Sequence, residues 1–151
     1  MEKTKLEIKQ NMGYREIIQG VDLVPQIVHS DARGNLVAFE EFGNVPFCPK
    51  RVFVIKAAHP GQDRGGHANS CDELISVISG AVTIEIDNGD CRRSVRLDSF
   101  DEALWVRAGI LIVLKDFAPG TALVVCASER YEDTRHFDRP RTSVKRPVCP
   151  A

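Results

Sequence analysis

The stretch from Gly61 to Gly80, "GQDRGGHANSCDELISVISG", gathers side chains able to move a proton or hold an oxygen. His67 is the natural base among them, because an unperturbed imidazole changes charge near neutral pH. Asn69, two places on, can hydrogen-bond an oxygen or a bound water but cannot shuttle a proton at neutral pH. Cys71 would face the same side if the strand runs unbroken, and a thiol has a reference pKa of about 8.5. Glu73 can orient His67 or serve as a buried structural acid. His67 and Glu73 are also metal-ligand types, but two ligands are too few for a tight divalent site, so no metal is expected. A lone histidine on a strand is by default a satisfied or half-exposed residue. What lifts His67 above that default is its place in this pattern, with Arg64 just before it.

The elements that must position these residues read as β-strands. "ELISVISGAVTIEIDNGDCRRSVRL" is the clearest segment. "AVTIEI" alternates with period two, Asn88-Gly89 is a hairpin turn, and "CRRSVRL" returns as a second strand. "NLVAFEEF" has a strand-like middle, "KRVFVIKAAHPG" is a strand ended by Pro60-Gly61, and "EALWVRAGILIVLKDF" holds two strands around Ala108-Gly109. "TALVVCASE" is a last core strand, opened by Pro119-Gly120. Short strands at close, even spacing predict an all-β sandwich or closed barrel. "GYREIIQGV" and "SERYEDTRHF" are each expected as a short helix or arm. The tail "DRPRTSVKRPVCPA" holds three of the eight prolines and, after Asp138, four basic residues and no acid. It reads as a flexible or surface-draped segment.

With 151 residues and a net charge of -1, the chain fits one domain and has no electrostatic reason to seek nucleic acid or anionic membrane. Apolar runs such as "GILIVL" are too short to span a bilayer, and "MEKTKLEIKQNMGYREI" lacks the apolar stretch of a secretory signal. Five cysteines, an odd number without a CxxC pair, predict reduced thiols and a cytoplasmic protein, with Cys126 a small core residue.

The order Gly61, His67, Asn69, Glu73, Gly80 resembles the first cupin motif at every position except the second histidine, where Asn69 stands. The segment that would carry the second motif, "ALWVRAGILIVLKDF", has no histidine. The wider sequence resembles the WxcM-like cupins, nucleotide-sugar 3,4-ketoisomerases acting on dTDP-4-keto-6-deoxyglucose. The resemblance is carried by "DARGNLVAFEE", "VPFCPKRVFVI", "RGGHANSCDELISVISG", "IEIDNGD", "VRLDSF" and "CASERYEDTRHF". It implies an all-β cupin jelly roll, a double-stranded β-helix barrel with short terminal arms or helices. Residues 1–27 would form an N-terminal arm, 28–137 the cupin domain and 138–151 the basic tail.

The family's reaction moves a ketone from C4 to C3 of a dTDP-linked deoxyhexose and needs no redox cofactor. The C4 carbonyl acidifies the C3 proton, a base removes it, an enediol forms, and a proton returns at C4. The resemblance implies His67 as that base, Asn69 as its hydrogen-bonding partner, and Arg33, Arg51, Arg64 and Glu73 as substrate-binding residues. A planar guanidinium suits the diphosphate oxygens. It also implies a homodimer with strands shared between subunits. Departures from the family pattern are Asn69 for histidine, Phe53 and Val54 for tyrosines, and Leu111 and Ile112 for pocket groups. Two other readings follow from them: a cupin that binds a nucleotide sugar as a binding or regulatory subunit, and, less favoured, a metal-dependent oxygenase.

Overall fold

Alternation in sequence becomes alternation in burial. In Val82–Asp87 the side chains of Val82, Ile84 and Ile86 are buried, while Thr83, Glu85 and Asp87 are half-exposed. The computed structural model describes residues 13–144, and these form strands joined by turns. They are β1 (Arg15–Ile18), β2 (Val21–Pro25), β3 (Val28–Asp31), β4 (Gly34–Val37), β5 (Arg51–Lys56), β6 (Arg64–Asn69) and β7 (Glu73–Ser79). There follow β8 (Val82–Asp87), β9 (Arg92–Leu97), β10 (Glu102–Val106), β11 (Leu111–Lys115), β12 (Ala122–Ala127) and β13 (His136–Phe137).

A six-stranded sheet runs β1-β2-β10-β7-β12-β5, and a five-stranded sheet runs β13-β6-β11-β8-β9. Their inner faces close on one apolar core, to which Ile75, Val77, Leu104, Leu123 and Val125 come from the first sheet and Ile84, Ile86, Ile112 and Leu114 from the second. The result is the expected all-β cupin jelly roll. On the outer side of the larger sheet, Leu74, Trp105 and Cys126 lie under Val45, Phe39 and Phe47 of the segment before β5. Cys126 is thus the core residue that its setting suggests.

Two local expectations are corrected. "GYREIIQGV" is an antiparallel hairpin rather than a helix, because Ile18, Val21 and Leu23 are drawn into the common core beside β10. The sheet therefore extends N-terminal to residue 28. Cys48 is disulfide-bonded, whereas Cys71, Cys91 and Cys126 are free thiols. The expectation of five reduced cysteines fails at that residue, since linear spacing says nothing about which distant thiols fold together. "SERYEDTRHF" is an arm made of a 3-10 turn (Tyr131–Asp133) and β13. Of the basic tail, residues up to 144 are described: Arg141 N–H donates to Gly109 O at 2.6 Å. Residues 145–151 lie outside the described part, as do residues 1–12 of the N-terminal arm.

Candidate active site

A bulge in β6 aims the motif. Against β11, Ile112 pairs with His67 and Val113 with Gly65, so Gly66 is the extra residue. In an unbroken strand Arg64 would point away from His67 and Asn69, because side chains alternate with period two. The extra residue reverses that parity, and Arg64, His67 and Asn69 all face one cavity. Gly65 and Gly66 have φ of +84° and +81°, the left-handed region glycine tolerates. A Cβ on Gly65 would lie 2.8 Å from the Ile112 carbonyl oxygen.

The opposite wall comes from the larger sheet. Glu73 on β7 and Arg51 on β5 are both register partners of Ala127 on β12, which places acid and guanidinium in one row with a small residue between. The next inward row is Ile75, Val125 and Phe53, and it forms an apolar floor with Ile112 and Leu114. The cavity has a volume of about 350 Å³, the size of a small-ligand site.

Within the cavity, Asn69 donates its amide N–H to the carboxyl of Glu73. That bond turns the amide oxygen away, and Asn69 Oδ1 is buried with no partner among the described residues; Arg51 Nε is likewise buried and unpartnered. Two cavity-lining side chains thus each keep a buried polar atom, one acceptor and one donor, without a partner among the described residues. Burial raises the Glu73 carboxyl above its ordinary range, against the lowering effects of the Asn69 bond and the Arg51 charge. Arg51 stacks between Phe53 at 5.1 Å and Tyr131 at 5.5 Å.

The structure thus brings His67, Asn69, Glu73, Arg51 and Arg64 together. Glu73 meets Asn69 rather than orienting His67. Arg33 is elsewhere: it sits in the β3–β4 turn, 90% exposed, paired with Asp31 at 2.5 Å. Cys71 is also excluded, because β6 ends at Asn69 and the thiol turns into the protein. Burial, then the Glu73 charge, pushes that thiol up to about 12, which leaves it a poor proton donor. Of the family departures, Phe53 and Ile112 line the cavity, whereas Val54 is exposed and Leu111 does not line it.

Two cavity residues escaped the reading of the sequence, His136 and Tyr131. The His136 ring stands 5.6 Å from that of His67 at 72°, and Tyr131 is 6.1 Å from His136. Ser70 anchors them: its N–H donates to Arg135 O (2.9 Å), Arg135 N–H donates to Ser70 Oγ (2.8 Å), and that hydroxyl donates to Glu129 (2.8 Å). No local pattern near residue 136 announces this placement, since it depends on a two-residue pairing with β6.

A second cavity of about 470 Å³ is lined by Glu16, Asp22, Asp90 and Arg107, with Arg107 paired to Asp22 at 2.6 Å. Three carboxylates against one paired guanidinium repel an anion. Among the described residues no three His, Cys, Asp or Glu side chains are grouped to hold a metal ion, and no helix is long and apolar enough to cross a membrane.

Known proteins with the same architecture share this site-bearing region. Residues 19–142 match the family described as FdtA: WxcM-like, C-terminal. A TDP-4-oxo-6-deoxy-alpha-D-glucose-3,4-oxoisomerase from Aneurinibacillus thermoaerophilus is 32% identical over 108 residues, covering 71% of this chain and 78% of that protein. The WlaRB TDP-quinovose 3,4-ketoisomerase from Campylobacter jejuni superposes with a TM-score of 0.71 at 29% identity, covering 77% of this chain and 90% of the other. A double mutant of the QdtA 3,4-ketoisomerase from Thermoanaerobacterium thermosaccharolyticum, in complex with TDP, gives 0.74 at 25% identity, covering 82% and 90%. With a family match over most of its length and the motif strand folded as the site requires, the chain belongs to the FdtA/WxcM-like family.

Proposed function

We propose that this protein is a nucleotide-sugar 3,4-ketoisomerase that moves the ketone of a dTDP-4-keto-6-deoxyhexose from C4 to C3. The observation that carries the reading is the meeting of His67 with two guanidiniums, Arg51 and Arg64, in one small cavity with an apolar floor. The relatives' names, which specify TDP-sugar 3,4-isomerisation, agree with it.

The guanidiniums neutralise the diphosphate, and Arg51 Nε and Asn69 Oδ1 take polar groups of the ligand. Glu73 fixes the Asn69 amide so that its oxygen accepts from a sugar hydroxyl. His67 removes the C3 proton that the neighbouring carbonyl has acidified, and a proton returns at C4 from the same imidazole. The chemistry is an internal redox exchange between two carbons, so it consumes no cofactor. The acidic second cavity is the wrong place for such a ligand.

The working unit of this proposal is a homodimer. β5 is an edge strand, and Val52, Val54 and Ile78 leave an exposed apolar strip on the outer face beside it. Light scattering tests this: the wild-type chain should run as a dimer and Val54→Glu should weaken it.

The direct test of function is conversion. Purified protein is incubated with dTDP-4-keto-6-deoxyglucose, and the carbonyl is followed by ¹³C NMR. Appearance of the 3-keto isomer establishes the activity. Binding without migration of the carbonyl would overturn it and leave a binding or regulatory role.

A further inference from the structure

The isomerisation has two sides, and His67 answers only one. Carbon loses a proton at C3 and gains one at C4, while oxygen must gain a proton at O4 and lose one at O3. A single base beside C3 can serve the carbons. The amide of Asn69 cannot serve the oxygens, because it neither gives nor takes a proton at neutral pH.

We propose that His136, on the strand beside the motif, carries the oxygen-side proton and so replaces the histidine missing at position 69. The proposal rests on the ketoisomerase reading above. His136 is the register partner of Asn69 across the β6–β13 ladder, and its ring lines the same cavity as His67. The two imidazoles stand 5.6 Å apart, edge to face, a separation that leaves each able to reach a different atom of one sugar ring. The placement is held rather than incidental, since the paired hydrogen bonds between Ser70 and Arg135 fix the residue just before it.

The reaction assigns each ring its part. The groups facing the two rings are Arg51 and Arg64, both cationic, together with Glu73 and Tyr131. The reaction requires the pair to hold one extra proton at its start, with His67 the neutral base and His136 the charged acid. His67 takes the C3 proton as imidazolium His136 gives its proton to O4, and the C3–H pair becomes the C3–C4 double bond of the enediol. Neutral His136 then takes the O3 proton as His67 returns its own to C4, which regenerates both residues and leaves the ketone at C3. Protons and electrons balance without a further reactant.

The test compares wild type, His136→Gln, His136→Ala and His136→Ala with Asn69→His, in deuterium oxide with dTDP-4-keto-6-deoxyglucose. Loss of the C3 proton signal, formation of the 3-keto isomer and dTDP affinity are read separately. The expected result is that both single variants bind dTDP as wild type does, yet form product about 100-fold more slowly. Exchange at C3 should fall together with product formation, because the C3 proton leaves only as O4 is protonated, and Asn69→His should restore at least about tenfold of the lost conversion by returning an imidazole to the facing position. Conversion by His136→Gln within about threefold of wild type overturns the proposal, as does a loss explained wholly by weaker dTDP binding. If the wild-type chain itself neither exchanges nor converts, the isomerase reading falls and this proposal falls with it. Wild-type activity alongside an unimpaired His136→Gln overturns the proposal alone.

Discussion

Asn69 and His136 face each other across the β6–β13 ladder, and the amide of the first is tied to Glu73 while the ring of the second stands against His67. The position where the motif would carry a second histidine therefore has an imidazole beside it, delivered by a different strand. Around that pair the cavity is built from two opposing rows, the bulged motif on one sheet and Arg51, Ala127 and Glu73 on the other.

The bulge is the geometric device that brings Arg64 to His67. Gly65→Ala puts a side chain at φ +84° and 2.8 Å from a backbone oxygen. The expected cost is about 2 kcal/mol or more in thermal or denaturant unfolding. Weaker dTDP binding should accompany it as Arg64 turns away. A variant as stable as wild type would mean that β6 reaches this geometry without glycine.

The turn after β6 depends on Asp72. Its buried carboxylate accepts from Trp105 Nε1 at 3.0 Å and from the Ala108 N–H at 2.9 Å. Asp72→Ala strands both donors in the interior, and unfolding followed by the fluorescence of the single tryptophan should show a loss of about 3 kcal/mol. A change below about 1 kcal/mol would contradict this assignment.

Glu73 links stability to pH. Burial raises its carboxyl above the ordinary 4.5, so the folded protein keeps this proton to a higher pH than the unfolded chain does. Between those two values the folded state binds more protons, and stability must fall as pH rises. Below 4.5 the two states are protonated alike and the effect vanishes. Denaturant unfolding across this range should show a decline in wild type that Glu73→Gln flattens. Equal slopes in both proteins would contradict the assignment.

Arg51 contributes shape as well as charge. Arg51→Lys keeps the cation but loses the planar fork and the stack between Phe53 and Tyr131. Calorimetric titration should show dTDP bound about tenfold more weakly, with unfolding nearly unchanged. Undiminished affinity would place the diphosphate elsewhere.

The sheets and the motif face were readable because their signals are local. Period-two runs such as "AVTIEI" and the Asn88-Gly89 turn announce strands that pair with sequence neighbours. The spacing of Arg64, His67, Asn69 and Glu73 puts four cavity residues within one strand and the start of the next. His136 was hidden because β13 is two residues long and acquires its meaning only from pairing with a strand some seventy positions earlier. Arg33 misled for the converse reason: its turn setting is local, but a turn does not say which way the hairpin points, and this one leaves the cavity. Cys71 followed the parity of an unbroken strand, and the strand ends first.

The central claim is that His67 takes the C3 proton of a nucleotide-linked keto sugar. It is tested most directly by following the C3 proton of dTDP-4-keto-6-deoxyglucose by NMR in deuterium oxide, with wild type beside His67→Ala. The account predicts loss of the C3 signal with wild type and exchange at least about 100-fold slower in the variant, with dTDP still bound. A bound sugar that keeps its C3 proton in wild type, or equal exchange in His67→Ala, would contradict it.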